Sequence, residues 1–253
     1  MPSLWRAIGE AGVLLFRAAP GFEARLAPGA AMGLSGEPYA DFNYLLISGG
    51  SDPAARLGEF AQAAQSRNLP FTAIFAEEVH EELAATATAL GMRRAGSMPL
   101  MIFRPPMGES ASTAFQVTRV ESEQDLRTAL GMVSGAFGSS PEIACRVLTP
   151  ATLEFSEIEC FMARREGMPV SAVWTTRRGG MVTIWNMATP AEHQRQGAGY
   201  ALLSQVIAGH VERGVRLFSL LATEAGFPLY RRIGFQTVAN PAVWVMEHTM
   251  QVG

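Results

Sequence analysis

A strand-like run that empties into a glycine-containing turn, and from there into a helix, constrains this chain more than any other feature. Val182 to Thr189 is mostly β-branched and apolar and reads as a buried strand. Gln194-Arg195-Gln196-Gly197-Ala198-Gly199 follows, and Tyr200 to Ala208 is a run of good helix formers. The first N–H groups of a helix lack intrahelical partners and sit at the positive end of its dipole, so the arrangement is suited to phosphate. Gly197 and Gly199 are expected to leave room for a diphosphate where a β-carbon would intrude. The same loose pattern at Arg6-Ala7-Ile8-Gly9-Glu10-Ala11 lies in an apolar, helical-looking stretch with no strand before it, and reads as coincidence.

Further along stands Leu229-Tyr230-Arg231-Arg232-Ile233-Gly234-Phe235, preceded by Ala222-Thr223-Glu224-Ala225-Gly226-Phe227-Pro228. With the 194–199 turn upstream, this segment resembles the GNAT superfamily of acyl-CoA-dependent N-acetyltransferases. The motifs cover 182–246, and the family fold is expected over about 115–250. The resemblance implies acetyl-CoA as co-substrate and no metal. It implies a CoA diphosphate held by Gln194, Arg195, Gln196, Gly197, Ala198, Gly199 and Tyr200. It implies pantetheine along the main chain of Met187, Ala188 and Thr189, and Tyr230 as general acid toward the departing thiolate. Thr223 stands where many members carry Asn, seven residues before the Tyr, and its hydroxyl is the available substitute for that contact. A phenol stays protonated at neutral pH, which suits that role; the structural alternative is a buried Tyr whose hydroxyl is tied to backbone. The 182–189 strand carries no Asp or Glu. Glu157, Glu159 and His193 read as solvated charges or loop residues, and no general base is assigned.

Composition narrows the partners. The chain has 253 residues, a net charge of −3, and no basic run longer than pairs such as Arg93-Arg94 and Arg164-Arg165, so nucleic acid has no electrostatic footprint. Cys145 and Cys160 are too few for a disulfide framework and lack metal-ligand spacing, and the four histidines are scattered. No apolar run approaches the ~20 residues of a membrane span, and no signal peptide is evident. A cytoplasmic protein is expected, and the bias toward Arg over Lys suggests a bacterial source. The acceptor is expected to be a small-molecule or peptide amine, and homodimerisation stays open. The alternative function is an acyl-CoA-binding sensor or scaffold without turnover.

A shift of 143 residues relates the first half to the second: Gly91-Met92 falls under Gly234-Phe235 and Phe42-Asn43 under Trp185-Asn186. Under the same shift Gly197 meets Ala54, Gly199 meets Arg56 and Tyr230 meets Ala87, so the first half reads as a degenerate repeat without cofactor chemistry. Expected domains are a degenerate GNAT-like 1–104, a Pro-rich linker 105–113, and a catalytic 114–253. The fold class is α/β (α+β), two tandem lobes each with a mixed central sheet flanked by helices. In the second half the sequence predicts strand Phe115–Val120, a helix capped by Ser122 to about Phe137, a hairpin over 158–177, and strand Met181–Thr189. A helix from Gly199, strand Val215–Leu221, helix Pro228–Ile233 and a final strand Ala242–His248 complete it.

Overall fold

In the computed structural model of the protein, residues 2–106 and 114–247 are described. Most of the expected linker and His248 lie outside them. The first half of the chain runs α1 (Pro2–Leu15), β1 (Glu23–Ala27), β2 (Ala30–Leu34), β3 (Asn43–Ile47), α2 (Pro53–Gln65), β4 (Phe71–Phe75), α3 (Glu77–Ala89) and β5 (Arg93–Ser97). It continues through β6 (Leu100–Phe103), β7 (Gln116–Arg119), α4 (Glu123–Phe137), α5 (Pro141–Val147), β8 (Ile158–Arg165), β9 (Met168–Arg178) and β10 (Met181–Ala188). Last come α6 (Ala198–Glu212), β11 (Leu217–Leu221), α7 (Phe227–Ile233), β12 (Gln236–Ala239) and β13 (Ala242–Met246).

Two compact units result: one of Met1–Leu100 with Ala239–Gly253, the other of Met101–Val238. Their sheets run β1-β2-β3-β4-β13-β5 and β12-β6-β11-β10-β9-β8-β7. The two orders are the same, apart from the extra strand β7, once β13 of one sheet is matched with β6 of the other. Under the 143-residue shift β6 and β13 are equivalents, so each repeat's penultimate sheet position is filled by the strand from the other repeat. A cut at 105–113 therefore differs from the structural division. The final strand of the second half, expected as Ala242–His248, runs as Ala242–Met246 and pairs antiparallel with β4 and β5 of the first sheet. Both exchanged strands are apolar and buried, and nothing local tells either one which sheet to join.

Local signals explain the elements. In α1, Trp5, Ile8, Ala11 and Leu15 recur at helical spacing and are buried. The Ser122 side chain accepts from Asp125 N (3.1 Å) to start α4, and Gly138 ends it in the left-handed conformation. Strand β9 sits inside its sheet, with seven consecutive buried residues from Val170 to Thr176. The core of the second unit packs Leu202, Leu203, Val206 and Ile207 of α6 onto Val173, Val182, Ile184, Phe218 and Leu220 of the sheet. That packing fixes α6, and with it the turn at its start.

Candidate functional site

Strand β10 changes character halfway. Its register with β9 slips between Trp185 and Ala188, where Asn186 and Met187 stand against Val173 alone, and Asn186 inside that bulge has φ +47. Asparagine is one of the few side chains that tolerates the left-handed region. On the other side, β10 pairs in parallel with β11 through only three residue pairs, Met181–Leu217 to Thr183–Ser219. Beyond Thr183 the two strands part, although β10 continues to Ala188 and β11 to Leu221. Beyond Thr183, β11 no longer follows β10, and an extended, amide-bearing ligand could pair along the edge of β10 there.

The sequence reasoning placed Met187, Ala188 and Thr189 here but missed both the bulge and Ser171. The Ser171 hydroxyl, fully buried on β9, donates to Ala188 O at 2.8 Å and lies 2.8 Å from Thr189 Oγ1, pinning the end of the strand. An Asn within a β-branched run was the one local hint of the bulge.

The turn that follows is exposed from Gln194 to Gly197. Arg195 and Gly197 both have positive φ, +58 and +89. The glutamine side chains brace the loop: Gln194 Nε2 donates to Thr189 O (3.0 Å), and Gln196 Nε2 donates to Glu192 O (2.7 Å) while its Oε1 accepts from Arg165 Nη1 (3.1 Å). With those side chains occupied, the turn offers main chain. Gly197 provides no side-chain cap, and the first intrahelical bond is Ala201 N–H to Gly197 O at 2.9 Å. The N–H groups of Ala198, Gly199 and Tyr200 therefore open the 15-residue α6 without intrahelical partners.

The two glycines serve different ends. At Gly197 the left-handed backbone is the requirement, and a β-carbon would meet only the Phe115 ring, at 3.8 Å. At Gly199 a β-carbon would face inward, 3.2 Å from Met187 Cε and 3.4 Å from Leu229 Cδ2 and Thr189 Oγ1. Gly199 thus lets α6 close onto β10 and α7, where the sequence suggested ligand clearance. Beside the turn, the Arg232 guanidinium lies 4.8 Å over the Tyr200 ring and carries positive charge to the helix start.

Tyr230 projects from α7 and is 8% exposed. Its ring meets Phe235 edge-on, centroids 6.0 Å apart at 62°. Burial pushes its pKa up to about 12, so the phenol is protonated at neutral pH. The Thr223 Oγ1, expected as a stand-in for a ligand contact, accepts from Gly226 N at 3.2 Å in the turn ahead of α7.

The first unit resolves the corresponding region otherwise. Its β3 pairs with β4 through Ile47–Phe75, Ala76 N continues the ladder to Ile47 O (2.9 Å), and the β2–β3 register runs without a shift. There is no fork. At the start of α2 the Asp52 carboxylate accepts from Ala55 N (2.8 Å), and Pro53 has no N–H to offer. A carboxylate already occupies the place where a phosphate would bind.

The Acetyltransferase (GNAT) domain family matches residues 109–228, ending two residues before Tyr230. A GCN5-related N-acetyltransferase from Kribbella flavida superposes with a TM-score of 0.72 at 18% identity, covering 96% of this chain and 94% of that one. Another from Sphaerobacter thermophilus gives 0.62 at 17% identity, covering 98% and 93%. A tandem GNAT protein from the clavulanic acid biosynthesis pathway gives 0.59 at 14% identity, covering 94% and 86%. No curated protein matches the chain. Residues 109–228 match the GNAT acetyltransferase domain family, as the motifs imply, and the chain as a whole has the fold of GNAT proteins, a tandem one among them. No helix among the described residues is long and apolar enough to cross a membrane, and no His, Cys, Asp and Glu among them group as metal ligands.

Proposed function

We propose that the second unit transfers an acetyl group from acetyl-CoA to a primary amine of a small molecule or peptide. The observation that carries this reading is the fork between β10 and β11, which opens beside the unpartnered start of α6. The diphosphate would lie on the N–H groups of Ala198, Gly199 and Tyr200, and the pantetheine amides would complete the open edge of β10. A main-chain N–H in the bulge would polarise the thioester carbonyl. Attack by the neutral amine forms the amide bond, the C–S bond breaks, and the proton lost by nitrogen ends on sulfur.

Tyr230 stands as hydrogen-bond donor to the leaving sulfur. With the phenol at about 12 and an ordinary thiol at about 8.5, complete proton transfer from Tyr230 is uphill by roughly 5 kcal/mol. The phenol therefore steadies the thiolate and passes a proton on only as the ammonium nitrogen resupplies it. An amine-library screen with acetyl-CoA, read as free thiol, tests the reading, and Tyr230→Phe should slow turnover by about 10²-fold with acetyl-CoA affinity unchanged. Tight binding of acetyl-CoA with no thiol release from any amine would favour the sensor alternative. A Tyr230→Phe variant at the parental rate would make Tyr230 structural.

A further inference from the structure

We propose that Gly226 is a positioning residue for Tyr230, and that its missing side chain sets where the phenol hydroxyl stands. The inference rests on the reading of Tyr230 given above. A β-carbon built on Gly226 would lie 2.7 Å from Tyr230 Cε2 and 3.2 Å from both Cζ and the hydroxyl oxygen. The hydroxyl end of the ring, rather than its root, is what rests on Gly226.

Backbone conformation gives no other reason for glycine here. Gly226 has φ −82 and ψ −25, a region open to every L-residue. As the N-cap of α7 the position favours glycine over alanine to a modest degree. The ring adds a steric exclusion that capping does not explain. Neither partner can retreat without cost. Gly226 N donates to Thr223 O (3.1 Å) and Oγ1 (3.2 Å), and its carbonyl accepts from Leu229 N (3.1 Å) and Tyr230 N (3.2 Å). The ring is buried and has Phe235 along its edge. A methyl group at 226 must therefore displace the phenol by several tenths of an ångström, approaching the ~1 Å misplacement that can slow catalysis about 100-fold.

Two mutant cycles test this. In the first, Gly226→Ala should lower kcat by about 10- to 100-fold in the parental protein, with the Kd for acetyl-CoA unchanged. In the Tyr230→Phe background, where no hydroxyl remains to misplace, it should change kcat less than about twofold. The second cycle reads stability and needs no acceptor. Gly226→Ala should lower the Tm by several degrees beside the Tyr230 ring, and by clearly less beside Tyr230→Ala. Equal losses of kcat in both backgrounds, or equal losses of Tm in both, would overturn the role of Gly226. A parental rate for Tyr230→Phe itself would instead overturn the role of Tyr230, so the two failures are distinguishable.

Discussion

Arg213 Nη1 stands 2.8 Å from Glu159 Oε1 at the C-terminal end of α6, the opposite end of the helix from the glycine turn. The sequence suggested a solvated carboxylate at 159. The structure buries it to 6% exposure, because β8 turns that residue under the helix and its partners follow it inside. His210 Nε2 and Arg119 Nη1 complete its surroundings at 3.7 and 3.8 Å. At ~1.5 Å per residue, the 15 residues of α6 put this cluster about 20 Å from the turn. Glu159 is accordingly a structural ion-pair partner.

Removing it should be costly. Glu159→Ala removes the carboxylate from a pair whose Arg213 side chain is 45% exposed, and is expected to destabilise the protein by about 1 to 2 kcal/mol, between the exposed and the buried case. Urea unfolding measures the loss, and calorimetry should show unchanged acetyl-CoA affinity. A variant of parental stability would place the pair effectively in solvent.

His210 should make stability depend on acid. Burial first, then the Arg213 charge and more weakly that of Arg177, drive its pKa down to about 4, against the opposing pull of Glu159. Arg213 Nη2 donates to Nδ1 at 3.0 Å, which places the imidazole proton on Nε2. The folded-state value lies below the unfolded one near 6.5, so the contribution is complete above pH 6.5 and is lost as pH falls toward 4. That difference is worth about 3 kcal/mol. In urea titrations at pH 7 and pH 4.5, the wild type should lose more stability than His210→Gln by roughly 2 to 3 kcal/mol. Parallel losses would remove His210 from the account.

The two glycines of the turn should separate on substitution. Gly197→Val forces a β-branched residue to φ +89 and should weaken acetyl-CoA binding at least tenfold by distorting the turn. Gly199→Ala meets the flexible tip of Met187 and should be milder. Gly199→Leu has nowhere to go between Met187 and Leu229, and should lose binding. Isothermal titration would reveal the order; equal tolerance of Gly197→Val and Gly199→Ala would contradict it.

One acetyl-CoA should bind per chain. The first unit closes its sheet through Ile47–Phe75 and caps α2 with Asp52, so neither a fork nor a free anion site is present there. Calorimetric stoichiometry of one supports this. Two sites, or restored parental binding when Gly197→Val is titrated, would refute it.

Much of the second unit was legible from local pattern. Ser122 marked the start of α4, Gly138 its end, and the β-branched run 182–189 the strand ahead of the turn, because caps, glycines and side-chain period act over a few residues. The residue types of the turn and of Tyr230 likewise stand in the sequence. What tertiary structure alone decided has longer range. Leu100–Phe103 and Ala242–Met246 are equally apolar, and only the packing of whole sheets assigns each to the other repeat. The bulge at Asn186 depends on how β9 and β10 register, and the fork on where β11 stops following β10. Gly199 and Gly226 look like turn residues in the sequence. Their neighbours, Met187 and the Tyr230 ring, show that the space each leaves is filled by side chains brought close by folding. Glu159 looked solvated because burial of a charge depends on partners such as Arg213, 54 residues away, which the chain must fold to supply.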